Sequence, residues 1–88
     1  MTVRERLELL AASIPQDDRD PRSRRYAMRR TTTGLELFEA KWTREVAGEQ
    51  EFHGHPTRYI PGRLLRRFLE RGDISRAEYE RLRKELSA

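Results

Sequence analysis

The chain has 88 residues, of which 39% are charged and 35% hydrophobic, and its formal net charge is +4. A chain of this length forms one small domain with a thin core, and the absence of cysteine excludes disulfides, thiolate catalysis and Cys-ligated zinc. No apolar run reaches the roughly 18–20 residues that cross a bilayer, and no signal-peptide pattern opens the chain. We therefore expect a cytoplasmic protein with no membrane association.

The N-terminal segment predicts a helix over residues 3–13. Thr2 and Glu5 have the spacing of a capping box, in which each side chain bonds the backbone N–H of the other residue. Pro15 ends the helix, because the residue before a proline is disfavoured in the α region. Apolar residues recur at helical spacing between these signals, at Val3, Leu7, Leu10 and Ile14.

The middle of the chain contains a polar segment followed by two segments of mixed periodicity. Residues 16–25 are polar and predict a loop, and whether residues 26–32 form a strand is left open by the alternation at Tyr26 and Met28. Residues 34–47 predict a helix with a second capping box, and the apolar positions that support it are Leu35, Phe38, Trp42 and Val46. The competing interpretation is a strand from Leu35 to Thr43, whose alternation breaks between Leu37 and Phe38.

The remaining segments are a connector and a pair of helices. Residues 48–61 contain Gly54, Pro56 and Pro61 and predict a connector, whose flanks could pair with Tyr26–Thr32 in a short β-hairpin. Residues 62–87 predict an antiparallel helical hairpin. Its corner combines a left-handed cap at Gly72 with a capping box formed by Ser75 and Glu78.

The hairpin resembles a SHOCT (short C-terminal) domain over about a quarter of the chain. The matching pattern is a set of apolar pairs, a Gly-x-Ile-Ser corner, a Glu-aromatic pair, and then a basic residue and Leu. The resemblance implies a C-terminal element for oligomerisation or docking. The residues that carry it are Leu65, Phe68, Leu69, Gly72, Ile74, Ser75, Glu78, Tyr79, Lys84 and Leu86.

Together these elements predict a mainly α fold. The whole chain, residues 1–88, is interpreted as one small domain of three to four short helices that ends in an antiparallel helical hairpin. A short β-hairpin in the middle remains an alternative.

No arrangement of residues predicts catalysis or a cofactor. The sequence contains no Ser/His/Asp constellation and no Gly-rich phosphate loop, so we expect a protein that is not an enzyme. His53 and His55 alternate with Glu51 as metal ligands on a strand would. Because Gly54 and Pro56 favour a turn there, the histidines are only weak candidates for a metal site.

Two functions are compatible with this composition. Trp, Tyr and Arg are enriched where protein interfaces bind most strongly, so the first hypothesis is a self-associating interaction or adaptor module that contacts its partner through Trp42, Phe38, Tyr59, Phe68 and Tyr79. The alternative is a small basic protein that binds nucleic acid through Arg–phosphate contacts. Its two arginine strips contain Arg24, Arg25, Arg29 and Arg30, and Arg63, Arg66, Arg67 and Arg71.

Overall fold

The computed structural model describes residues 2–86; residues 1, 87 and 88 lie outside the described part, as does the side chain of Leu86. The last position of the predicted hairpin, residue 87, is therefore not covered. The chain divides into two compact units, Met1–Thr57 and Arg58–Ala88. The elements in chain order are α1 (Val3–Ala11), β1 (Ile14–Pro15), β2 (Arg25–Thr31), β3 (Gly34–Val46), β4 (Glu49–Pro56), α2 (Gly62–Arg71) and α3 (Arg76–Leu86).

The first unit is built on a four-stranded antiparallel sheet with the order β1-β2-β3-β4. Two tight turns set its register. Gly34, at φ 139°, closes the turn between β2 and β3. Ala47 and Gly48, at φ 51° and 83°, form the two-residue connection between β3 and β4. Positive φ at both central residues is what a hairpin needs to match the twist of its strands.

A mainly α fold is therefore the wrong prediction, since the sheet makes this an α+β protein. Residues 34–47, predicted as a helix, form β3 instead. The spacing of Leu35, Phe38 and Trp42 fits a helix, but strand pairing on both sides of β3 outweighs this local preference. The predicted connector over residues 48–61 likewise contains β4, and residues 26–32, left open by the sequence, overlap β2.

A β-bulge interrupts the pairing of β3 with β4 between Trp42 and Arg44. Trp42 lies opposite Phe52, and Arg44 lies opposite Glu51, so Thr43 is the extra residue of the bulge. The Thr43 hydroxyl donates to the Glu51 carbonyl at 3.0 Å. Beyond the bulge the faces of β3 are exchanged, which places the Gln50 side chain within hydrogen-bonding distance of the Trp42 indole.

Helix α1 begins at the predicted capping box and lies over one face of the sheet. Glu5 donates its backbone N–H to the Thr2 hydroxyl at 3.1 Å. Two arginines of β2 hold the helix at its ends: Arg29 pairs with Glu5 at 3.1 Å, and Arg25 donates to the Ser13 hydroxyl at 2.7 Å. Arg25 and Arg29 are four residues apart on a strand, so the helix follows the face that both share.

The second unit contains the two helices of the C-terminal stretch. Gly72, at φ 83°, ends α2, where Asp73 donates its backbone N–H to the Phe68 carbonyl and Gly72 donates to Leu69. These two bonds define a Schellman motif. Ser75 and Glu78 then exchange both capping-box bonds at 2.8 and 3.1 Å. The buried apolar residues of this unit are Ile60, Leu64, Leu65, Phe68, Ile74 and Leu82.

Candidate interaction surface

A partly open groove lies between α1 and the sheet, within the first unit. Its volume is about 440 Å³, and it is bounded by α1 on one side and by residues 52–56 of β4 on the other. Leu10, Phe38 and Phe52 form the apolar walls of the groove. Its base is lined by two small residues, Ala40 and Gly54, which lie opposite each other on β3 and β4. The methyl group of Ala40 and the hydrogen atom of Gly54 are too small to fill the space between α1 and the sheet.

Strand β4 forms the outer edge of the sheet beside this groove. It has eight residues, and among the described residues it pairs with β3 alone. Residues 53–56 are exposed, and the His53 side chain is 74% accessible. An exposed edge strand offers its backbone N–H and C=O groups to another strand. The sequence does not predict this long edge, because Gly54, Pro56 and Pro61 favour a connector over residues 48–61.

Among the predicted interface residues, Trp42 and Phe38 lie on one face of β3. The Trp42 ring lies beneath the Arg22 guanidinium, 4.7 Å from its centroid, and its indole N–H donates to the Gln50 side chain. Phe52 lies directly opposite Trp42 on β4. Trp42, Phe38 and Phe52 are all half-buried, so this face keeps aromatic surface in contact with solvent.

The other three predicted interface residues lie in the second unit and differ in exposure. Tyr59 is 54% exposed, whereas Phe68 is 1% exposed and lies beneath the Arg71 guanidinium. Tyr79 is half-buried on α3. Phe68 is therefore part of the buried core and offers almost no surface to a partner.

The first arginine strip is divided between the two faces of β2. Arg25 and Arg29 lie on the α1 side, where they bind Ser13, Glu5 and Glu36. Arg24 and Arg30 lie on the opposite side, because successive residues of a strand alternate. Arg24 pairs with Glu39 at 3.4 Å. The strand thus brings together only half of the predicted strip on either face.

Two buried residues, Tyr26 and Glu39, lie opposite each other on β2 and β3. Tyr26, the aromatic residue within the strip, is only 2% exposed. Glu39 faces it across the sheet and is 7% exposed, with Arg24 and Lys41 at 3.4 and 3.9 Å. We interpret this buried carboxylate and its two cations as part of the folded structure and not as a binding site. The sequence does not predict this buried carboxylate, because the helix predicted over residues 34–47 includes Glu39.

The second arginine strip lies on α2 in the second unit. Arg66 pairs with Glu70 at 4.0 Å, and Arg71 pairs with Asp73 at 2.9 Å. Arg63 and Arg66 are exposed, and Arg67 is half-buried. The helix therefore presents these side chains together with carboxylates, so the strip is less basic than its sequence indicated.

The two histidines that are candidate metal ligands lie on β4 and not in a turn. His53, His55 and Glu51 share one face of the strand, and His53 Nε2 lies 3.7 Å from Glu51 Oε1. Within residues 2–86, no group of three or more His, Cys, Asp or Glu side chains is placed to hold a metal ion. The turn that Gly54 and Pro56 predicted here is therefore replaced by a strand.

Comparison with known proteins identifies no relative: no protein-family model, no curated protein and no solved structure matches the chain. The resemblance of the hairpin to a SHOCT domain therefore stays an expectation. In the described part of the chain, none of the helices has the length and apolar character to cross a membrane.

Proposed function

We propose that this protein is a non-catalytic protein-interaction module that self-associates. The observation that carries the proposal is the exposed outer edge of β4, an eight-residue strand with no neighbour beyond β3 among the described residues. Pairing with another strand satisfies such an edge, and an edge left open is a recurrent site of association between chains.

The exposed apolar residues of α1 support the same function. Val3 and Leu7 on α1 are 71% and 62% exposed, and Leu7 borders the groove. No residue of α1 is fully buried. A helix whose apolar residues stay in water gains stability when a partner covers them, at about 25 cal/mol per Å² of apolar surface removed from water.

Protein contact is favoured over contact with nucleic acid by the placement of the arginines. Binding to single strands depends on aromatic rings on which bases stack, and Tyr26 is buried. Arg24, Arg25 and Arg29 are also occupied by Glu39, Ser13 and Glu5. Phosphate contact would have to replace these bonds within the fold.

The proposal is tested by the mass of the protein in solution. We expect sedimentation or light scattering to show association that weakens over about a hundredfold dilution, with a melting temperature that falls in parallel, because association stabilises the folded state by mass action. A random-sequence DNA and RNA titration at low salt tests the alternative. A monomer at every concentration, with a constant melting temperature, would refute self-association.

A further inference from the structure

The charges of β4 are arranged symmetrically about Phe52. Two acidic residues, Glu49 and Glu51, precede it at alternate positions, and two histidines, His53 and His55, follow it at the same spacing. Reversing the strand exchanges acid for histidine at every one of these positions. A strand with this pattern is complementary to an antiparallel copy of itself, since each carboxylate then lies opposite an imidazole that donates a hydrogen bond to it.

We propose, as a deepening of the self-association inferred above, that β4 pairs antiparallel with β4 of a second copy, with Phe52 opposite Phe52. In this register Glu51 lies opposite His53 and Glu49 opposite His55, once on each side of the two-fold axis. A histidine opposite a carboxylate donates a hydrogen bond when neutral and adds a charge pair when protonated. The two sheets join into one continuous sheet.

The backbone of β4 is oriented for this register. Thr57 donates its N–H to the Leu37 carbonyl at 2.9 Å, so the backbone groups of Thr57 point toward β3. Because these groups alternate along an antiparallel strand, those of His55 and His53 also point toward β3. The backbone groups of Gln50, Phe52 and Gly54 therefore point outward, away from the sheet.

These outward groups meet one another when the strands are centred on Phe52. Phe52 bonds Phe52 of the second copy, and Gln50 bonds Gly54 on either side. A shift of the centre to His53 would bring Gln50 opposite Pro56, which has no N–H to donate, and would place His53 opposite itself. A shift to Glu51 would bring two carboxylates face to face. The register centred on Phe52 avoids both penalties.

The pairing also continues the two faces of each sheet. Glu51, His53 and His55 lie on one face, while Phe52 lies on the face that carries Trp42 and the groove. In a two-fold dimer the half-buried rings of Phe52 lie side by side at the centre. Their contact removes aromatic surface from water on the groove side, while the glutamate–histidine pairs form on the other side.

Charged groups on β3 lie next to these pairs. Lys41 is opposite His53, Glu39 is opposite His55, and Arg44 bonds Glu51 at 3.3 Å. His53 also lies 3.7 Å from Glu51 of its own strand. A carboxylate introduced at position 53 gains Lys41 as a cation across the sheet, which offsets the like charge of Glu51 on its own strand. That position is therefore suited to a test of the interface.

The first experiment exchanges the charges. His53→Glu places two carboxylates opposite each other twice in the dimer, and we expect the dissociation constant to rise about tenfold. The double variant Glu51→His with His53→Glu restores acid opposite histidine, and should return the constant to within about threefold of the original. Thr32→Glu, an equal charge change in the exposed turn between β2 and β3, is the control and should leave association unchanged.

The second experiment removes a backbone donor without altering charge. Gly54→Pro deletes an N–H that points outward, so the bonds to β3 survive while the pairing with Gln50 of the second copy is lost. Gly54→Ala is the matched control, since a Cβ there meets only the Glu39 carbonyl oxygen at 3.8 Å, an ordinary contact. We expect the proline variant to be monomeric and the alanine variant to associate as the original protein does.

The outcomes separate this inference from the proposed function. A protein that associates, but whose association is insensitive to His53→Glu and to Gly54→Pro, self-associates through another surface, and the β4 register is then refuted alone. A protein that is monomeric throughout refutes both. Folding of each variant is verified by Trp42 fluorescence and circular dichroism. Loss of association by His53→Glu together with its recovery in the double variant establishes the register.

Discussion

The guanidinium of Arg25 donates to both the hydroxyl and the backbone carbonyl of Ser13, at 2.7 and 3.0 Å. Ser13 is 7% exposed, so water does not replace these bonds when they are lost. Arg25→Met should therefore lower the free energy of unfolding by about 1–3 kcal/mol, as for hydrogen bonds that involve a charged group. Urea unfolding followed by Trp42 fluorescence measures the change.

Arg4→Met provides the control for this substitution. The Arg4 side chain is 90% exposed and pairs with Glu8 within one turn of α1, so the variant should lie within about 0.5 kcal/mol of the original. Equal stability of the Arg25 and Arg4 variants would show that the bonds to Ser13 do not hold α1 to the sheet.

The capping box at the corner of the second unit gives a second prediction. Glu78 donates its backbone N–H to the Ser75 hydroxyl at 3.1 Å, and Ser75→Ala removes this acceptor. The loss should be about 1 kcal/mol, whereas Ser75→Asp, which also caps, should retain the stability. Thermal melting by circular dichroism distinguishes the two. Equal melting temperatures for the alanine and aspartate variants would contradict the role of the cap.

The first capping box gives a prediction about pH. Hydrogen bonds from the Thr2 hydroxyl and backbone N–H, at 3.1 and 3.4 Å, lower the pKa of Glu5, and Arg29 adds to the shift. Because the pKa of Glu5 is lower in the folded state, the charged cap contributes its full stability at pH values above the ordinary pKa of a glutamate. This contribution is lost as pH falls through the folded pKa.

Thr2→Val tests the cause of this shift. The variant keeps the shape of the side chain but removes the hydroxyl, so an NMR titration should show the pKa of Glu5 moving up toward its ordinary value. A Glu5 carboxyl that titrates identically in both proteins would exclude the Thr2 hydroxyl as the main cause.

The stacking of Arg22 on Trp42 predicts a spectroscopic change. The guanidinium lies 4.7 Å from the ring centroid, and such a contact at a surface is worth about 0.5–1 kcal/mol. Arg22→Ala should lower the stability by this amount and alter the emission of Trp42, the single tryptophan of the chain. Arg19→Ala, in the same loop, should leave both unchanged. Identical spectra for all three proteins would rule out the stacked geometry.

The sequence was most informative where structure depends on neighbouring residues. The capping boxes of Thr2 with Glu5 and of Ser75 with Glu78 are both present, because their bonds join residues three positions apart. The αL conformation of Gly72 is equally local. Signals of this kind carry the same meaning in any tertiary context.

Residues 34–47 show why the sheet could not be predicted. Thr33 and Glu36 match a capping box, yet the Thr33 backbone N–H donates to Thr31 within a β-turn. Pairing of β3 with β2 and β4 decides the outcome, and its cross-strand contacts, such as Phe38 with Pro56, join residues much further apart than the helical signals do. The buried pair of Tyr26 and Glu39 depends on the same register, so neither the burial nor the partner of either residue could be predicted.

The two edges of the sheet are unequal, and this limits how far an assembly through them can grow. Strand β1 consists of Ile14 and Pro15 alone, and a proline offers no N–H to an incoming strand. Sheets extend into fibres when both edges template further strands, whereas an isologous contact through one edge consumes that edge in both copies. A dimer joined through β4 would therefore carry at each end of its sheet only the two residues of β1 and residues 27–31 of β2, and β1 is a poor template for a further strand.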